Sequence, residues 1–364
     1  MELNEEQSLL VEELKEILGI ETINNNRKYW MVRAGVEGAF FYEFFTRKFI
    51  GINVPTGNNL ELLKNSSIEE LKEIIAKESS YEIKNIGHLA TKVYNFFNEI
   101  KKGDIIVMPS YRKERIAFGV VENENVILDD SLYLHESIKA AKNLTKENPI
   151  PDKRIEVKWT KLVNGSNLPG KLLLNLVAPH GLSSITDSNV IDLINTAMDT
   201  FFIKNEIAYM TFDVKTESDI DLKDIANYFS TVNEVVDFTN EYFKDDERIN
   251  LKINLNSPGT INFIGPVGAV LIAGVLLAIL GCDFEINLFK TIKFKVKTKG
   301  LLPYIQAFFD QHNKNEDRKL EYKKTITNLE IKEPEKLKRI IEILNSIDNP
   351  EKEKRDSNDP PINS

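Results

Sequence analysis

The chain has 364 residues, 42% of them hydrophobic and 28% charged, with a net charge of −9 and a pI near 5.3. These totals fit a folded protein of two or three domains, and the acidic balance excludes a generic electrostatic coat for nucleic acid while leaving room for a local basic site. Cys282 is the only cysteine; it excludes a disulfide framework and a Cys–Cys zinc site, and with no signal-peptide pattern at the N-terminus the expected setting is reducing and cytoplasmic.

Residues 1–26 predict an amphipathic helix over 3–20, with Leu9, Leu10, Leu14, Ile17 and Leu18 at helical spacing, followed by a "TINNN" linker. From Tyr29 the pattern changes. "YWMVRAG" predicts a strand, "GAFFYEFFTRKF" an aromatic helix and "FIGINV" a short strand. "SIEELKEIIAKE" and "GHLATKVYNFFNEIKKG" predict two helices, the second stopped by two lysines and Gly103. "DIIVMPSY" and "RIAFGVVENENVILDD" predict strands with a tight connection, and "RIEVKWTKLV" a further strand. The expected fold class is α+β: a small β-barrel with inserted helices over 27–186, then a second α+β domain over 187–348.

In that second domain "NVIDLINTAMDTFF" predicts a helix, "IAYMTFDV" a strand and "DLKDIANYFSTVNEVVDFTNEYF" a long helix. "RINLKINL" and "TINFIG" predict a hairpin across Ser257-Pro258-Gly259. Phe284, Ile286, Leu288, Ile292, Phe294 and Val296 share one parity and Lys293, Lys295 and Lys297 the other, as in half-buried strands. "GLLPYIQAFFDQHNK" and "EPEKLKRIIEILNSI" predict helices, and 349–364 a charged, disordered tail.

Between Lys252 and Asp283 there is no charged residue. The run predicts a helix over 266–282, with Pro266 at its first position. Sixteen apolar residues reach roughly 24 Å at 1.5 Å each, short of the hydrocarbon core of about 30 Å. The expectation is a helix buried in an α+β domain or at an oligomer interface; insertion of 266–282 into a membrane is the alternative. A helix apolar all round needs cover on every side, and one sheet covers one side, so a homo-oligomer is expected.

No catalytic residue, metal site or cofactor is predicted. His88, His135, His180 and His312 have no metal spacing, and no phosphate loop, dinucleotide fingerprint or nucleophile elbow occurs. Asp213 and Lys215 form one Asp-x-Lys step, with Asp283, Glu285 and Lys290 further on; this supports only an alternative reading as a metal-dependent nuclease. A binding role fits better. Tyr111, Arg112, Lys113 and Arg115 put basic residues and an aromatic between two strands, as phosphate positioning requires. Trp30 and Trp159 are either core residues or an aromatic wall for a base.

"YWMVRAGVEGAFFYEFFTRKFIGI", "IKKGDIIVMPSYRKERIAFGVV" and "RIEVKWTKLVNGSNLP" resemble, in order, the N-terminal module of Mrr-type bacterial restriction-system proteins, a PUA-like module of the EVE and YTH kind. The resemblance covers roughly 28–186. Where the family has tryptophan after "IG", this chain has Ile52 and then Asn53. The resemblance implies a sensor of an unusual base in DNA, RNA or a nucleotide, within an anti-phage defence system. Base-binding candidates on matching positions are Trp30, Arg33, Asn53, Ser110, Tyr111 and Trp159, with Arg112, Lys113 and Arg115 on phosphates. The second domain would then be the effector, acting through self-association or, alternatively, on a membrane.

Overall fold

The computed structural model describes residues 4–79, 85–134, 150–176, 181–243, 248–254, 259–281, 305, 307–308 and 316–348. Two compact units emerge, one of residues 26–198 and one of residues 1–25 together with 199–364. The strands in chain order are β1 (Glu21–Thr22), β2 (Tyr29–Val32), β3 (Phe49–Ile52), β4 (Ile105–Pro109), β5 (Arg115–Leu128), β6 (Lys153–Asn164), β7 (Leu182–Ile185), β8 (Phe201–Lys204), β9 (Ile207–Val214), β10 (Asn250–Asn254), β11 (Gly259–Pro266) and β12 (Ile331–Lys332). The protein is α+β, as the sequence predicts, and its described residues form two six-stranded sheets.

The sheet of the 26–198 unit has the order β3-β6-β5-β4-β2-β7. β2 and β4 run parallel and the other pairs are antiparallel. Register shifts between β5 and β6 at Phe118/Gly119 and beyond bend this pair. Gly119 is needed there, because a Cβ would stand 2.6 Å from Val157 Cγ1 and 2.7 Å from Trp159. Among the described residues β3 and β7 are its edges, so the sheet does not close into the small barrel that the sequence reading expects. Both faces are covered. Trp30 and Val32 pack with Phe41, Phe44, Val93 and Ile106, under the Phe41–Thr46, Ile68–Glu78 and Ile86–Tyr94 helices. Tyr29 and Met31 pack on the other face with Leu172, Val190 and Ile194.

That second face moves a boundary. The sequence reading starts a new domain at 187 and runs its first helix through Phe202. The Ser188–Met198 helix instead belongs to the first core, where Asn195 Oδ1 accepts the Tyr29 hydroxyl at 2.8 Å. The chain then turns, and buried Phe201, Phe202 and Ile203 form β8. Aromatic and β-branched side chains fit a pleated surface better than a continued helix.

The other unit is discontinuous. Its sheet runs β1-β8-β9-β11-β10, with β12 beside β9. The Glu5–Leu18 helix opens on a capping box of Asn4 and Gln7 and stops at Gly19 in the left-handed region, φ 58°. Leu10, Val11, Leu14 and Leu18 enter the same core as Phe263 and Leu276. The "TINNN" stretch is no free linker: Thr22 pairs in parallel with Ile203 as β1. A helix of this length is marginal alone, so its stability comes from packing more than 180 residues away in sequence.

The apolar run emerges from β11 as the Val267–Gly281 helix. Residues 268–280 are all buried, none more than 8% exposed. The Glu5–Leu18, Leu222–Phe243, Glu316–Asn328 and Glu335–Asp348 helices and strands β9 and β11 surround it. Gly274 admits Met210, whose Sδ would lie 2.4 Å from an added Cβ. The cover that the sequence reading assigned to a second copy is supplied by the same unit, so self-association does not follow from this helix. Among the described residues, no helix is long and apolar enough to cross a membrane. The alternating strands expected over 284–296, most of the helix expected over 300–314 and the tail 349–364 lie outside the described residues.

Candidate functional site

The parallel strands β2 and β4 end side by side, Met31 opposite Val107. The loops that follow them, 33–40 and 110–115, therefore leave the sheet at the same end. In the first, Arg33 N–H donates to Gly181 O at 2.8 Å and Phe40 N–H to Ala34 O at 2.8 Å, closing the loop. Gly35, Glu37 and Gly38 have φ of 80°, 55° and 75°. Gly38 is where the loops meet: a Cβ there would stand 2.9 Å from Tyr111 N. Only glycine meets both demands, positive φ and backbone contact.

In the second loop Ser110 and Arg115 bond reciprocally. Ser110 N–H donates to Arg115 O, and Ser110 Oγ accepts Arg115 N–H, both at 2.8 Å. Arg112 and Lys113 are consecutive non-glycine residues with φ of 48° and 59°. Such a conformation costs about 1–3 kcal/mol per residue and persists where the surroundings enforce it. Here Lys113 Nζ donates to Leu173 O at 3.0 Å and Gly165 N–H to Glu114 O at 2.9 Å. An added Cβ on Gly165 would fall 2.0 Å from Lys113 O. The result is a pinned loop that presents Tyr111, 43% exposed, with the Arg112 guanidinium 5.0 Å from its ring centroid. Val36, 54% exposed, tops the neighbouring loop. An exposed ring with a cation on it suits base stacking and phosphate contact.

The structure thus gathers Arg33, Ser110, Tyr111, Arg112, Lys113 and Arg115, and disperses the other candidates. Trp30 is 3% exposed and its Nε1 donates to Asp104 Oδ2 at 2.9 Å; it is core and offers no face to a ligand. Trp159 is half-buried, its Nε1 donating to Phe44 O at 2.9 Å and its ring stacked on Phe45 at 6.1 Å. Asn53 bonds through its amide to Ile150 O. It follows Ile52, which pairs with Lys153 at the start of the twelve-residue β6, whereas Arg115 pairs with Asn164 at its end. Asn53 and the 110–115 loop therefore stand at opposite ends of the sheet.

The residues of the nuclease alternative pair with each other, Lys215 Nζ to Asp213 at 2.9 Å. Among the described residues no group of three or more His, Cys, Asp or Glu stands close enough to hold a metal ion. Asp283, Glu285, Lys290, Cys282, His135, His180 and His312 lie outside the described residues.

One charged network escaped the sequence reading. Glu43 is fully buried and accepts Arg47 Nη1 at 3.2 Å and the backbone N–H of Leu134 at 3.0 Å. Arg47 and Arg154 converge on Asp129 at 3.0 and 2.8 Å. Arg154, 2% exposed, lies 4.2 Å from the Phe49 ring centroid. The network lines a cleft of about 310 Å³ with Asn123, Asn125 and Glu156. Its guanidinium groups are taken up by protein acceptors, so its role is to fasten the 129–134 segment to the sheet. Burial pushes the Asp129 carboxyl up, but hydrogen bonds from Ser131 and the charges of Arg154 and Arg47 outweigh it and hold it at about 2. A depressed carboxyl stabilises the fold above its unfolded pKa of about 4. Acid titration is expected to show stability lost between about pH 4 and 2, and Asp129→Asn to remove that part of the pH dependence; an identical acid profile for the variant would refute it.

No family model matches the chain, and no curated protein or solved structure matches it either.

Proposed function

We propose that the 26–198 unit is a PUA-like reader of an unusual or extruded base, of the kind found in bacterial restriction and defence systems, with DNA, RNA or a nucleotide as its ligand. The observation that carries this reading is the exposed Tyr111 beside Arg112, on a pinned loop that meets the 33–40 loop through Gly38. These loops hold the "VRAG" and "MPSYRKER" stretches on which the family resemblance rests. Tyr111 supplies a stacking face, and Arg112 and Arg115 supply phosphate contacts. Extruding a base costs a few kcal/mol, which stacking and edge hydrogen bonds must offset. The discontinuous unit is assigned the effector half, without a named activity.

The test is fluorescence anisotropy on short oligonucleotides carrying single modified bases against unmodified controls. Base–aromatic stacking is worth about 1–3 kcal/mol, so Tyr111→Ala should weaken binding of the preferred oligonucleotide by roughly 10- to 100-fold with the fold intact. Arg112→Ala should flatten the salt dependence by about one phosphate contact. Unchanged affinity in both variants would remove the site from these loops.

A further inference from the structure

The cleft beside the Glu43–Arg154 network lies where the β5–β6 register breaks. Asn123 stands opposite Glu156 and Ile127 opposite Arg154, so three residues of β5 face one of β6. Extra residues of this kind bend their strand. Across β6, Phe49 is opposite Glu156. Lys48, which precedes it, has φ of 57°, a sparsely populated conformation for a non-glycine residue and one that clusters at ligand clamps. Its carbonyl is held by the Val157 N–H at 2.8 Å. The bonds that fasten the 129–134 segment do not use every group. Arg154 donates from Nε to Pro151 O, from Nη1 to Asp129 and from Nη2 to Ser131 O. A guanidinium carries five N–H groups, so two of them have no acceptor among the described residues, in a side chain that is 2% exposed. The side chains of Lys48 and Glu156 also line the cleft, and among the described residues neither has an ion-pair or hydrogen-bond partner. Asp129, the other carboxylate there, is taken up by Arg47, Arg154 and Ser131. Ile127, 57% exposed, adds an apolar wall.

We propose that this cleft binds a free α-amino acid with an apolar side chain, its carboxylate on Lys48 and Arg154, its ammonium on Glu156 and its side chain against Ile127. A simple anion would satisfy the two cations and leave the Glu156 carboxylate unmet and repelling it; a zwitterion meets both signs through charge-assisted bonds, the strong kind. The volume of about 310 Å³ is at the small end of the roughly 300–1,000 Å³ of ligand pockets, which suits one small molecule. Arg115 pairs with Asn164, whereas Arg154 lies ten residues earlier on β6. The cleft is therefore separate from the Tyr111 loop, and the proposal stands or falls without the base-reader reading.

The test uses the full chain. Each free amino acid is screened for its effect on the denaturation midpoint, read by tryptophan fluorescence, since both tryptophans lie in this unit. A ligand that binds the folded state raises the midpoint; at least one apolar amino acid should do so, and no shift with any of them overturns the proposal. The strongest is then titrated by calorimetry beside its N-acetyl form, which lacks the ammonium, and its amide, which lacks the carboxylate. Glu156→Gln and Lys48→Gln should each weaken the amino acid roughly 10- to 100-fold, as loss of a charge-assisted bond does. Glu61→Gln, exposed on the Leu60–Asn65 helix, should not. Glu156→Gln should cost the N-acetyl form nothing further, and Lys48→Gln should cost the amide less than it costs the amino acid, because groups in contact are not additive. Fully additive losses, or an N-acetyl form that binds wild type as tightly as the amino acid, overturn the assignment. An equal loss in Glu61→Gln does the same. Denaturation of each variant without ligand confirms that it is folded.

Discussion

Replacing Glu43 with alanine should destabilise the 26–198 unit by about 3–5 kcal/mol, the usual cost of removing one partner from a buried ion pair. The carboxylate is fully buried in an aromatic helix between Phe41 and Phe44. It balances Arg47 and accepts the backbone N–H groups of Tyr133 and Leu134 at 3.2 and 3.0 Å. Alanine leaves these donors unmet, and each buried unmet donor carries its own penalty of about 1–3 kcal/mol. Glutamine keeps an acceptor in place and should cost less. Chemical denaturation read by tryptophan fluorescence isolates the effect, because both tryptophans lie in this unit. A loss below about 1 kcal/mol, the range of exposed pairs, would mean that the 129–134 segment is not fastened as described.

Leu276→Ala should cost the discontinuous unit about 2–5 kcal/mol, as a cavity in a surrounded core does. Leu276 is fully buried near the middle of the Val267–Gly281 helix, with four helices and two strands around that helix. Leu276→Asp should be worse, since a charge there has no partner and no route to water. Far-UV circular dichroism is the readout, because neither tryptophan lies in this unit. If Leu276→Asp left thermal stability unchanged, the helix would not be the centre of this core, and insertion elsewhere would return as its explanation.

What the sequence made legible was local. Alternation located β9, β10 and β11, and three-and-four spacing located the Leu222–Phe243 helix. What it hid was partnership. The Glu5–Leu18 helix shows which of its faces is apolar but not that the face meets residues beyond 199. The Val267–Gly281 helix announces that it needs cover on every side. Its covering helices start at residues 5, 222, 316 and 335, so no window of sequence contains them together. The same limit explains Trp30: a strand pattern cannot tell a tryptophan that stacks on a base from one that donates to Asp104. At the site, the basic loop was readable as a string, whereas the Glu43–Arg154 network joins residues up to 91 apart in sequence. The acid inside "FFYEFFTR" was the one local sign of that network.

The division of the chain has a consequence for its synthesis. Residues 1–25 belong with 199–364, so the 26–198 unit is an insertion within another domain. At about 5–20 residues per second, the ribosome spends roughly 10–35 s making the insert while the Glu5–Leu18 helix waits with Leu10, Leu14 and Leu18 uncovered. The inserted unit can fold as it emerges; its host closes only when the helices beyond Glu316 arrive. Birth order therefore places the 26–198 unit ahead of the core that surrounds the apolar helix. Truncated nascent chains should become protease-resistant over 26–198 well before the N-terminal helix does.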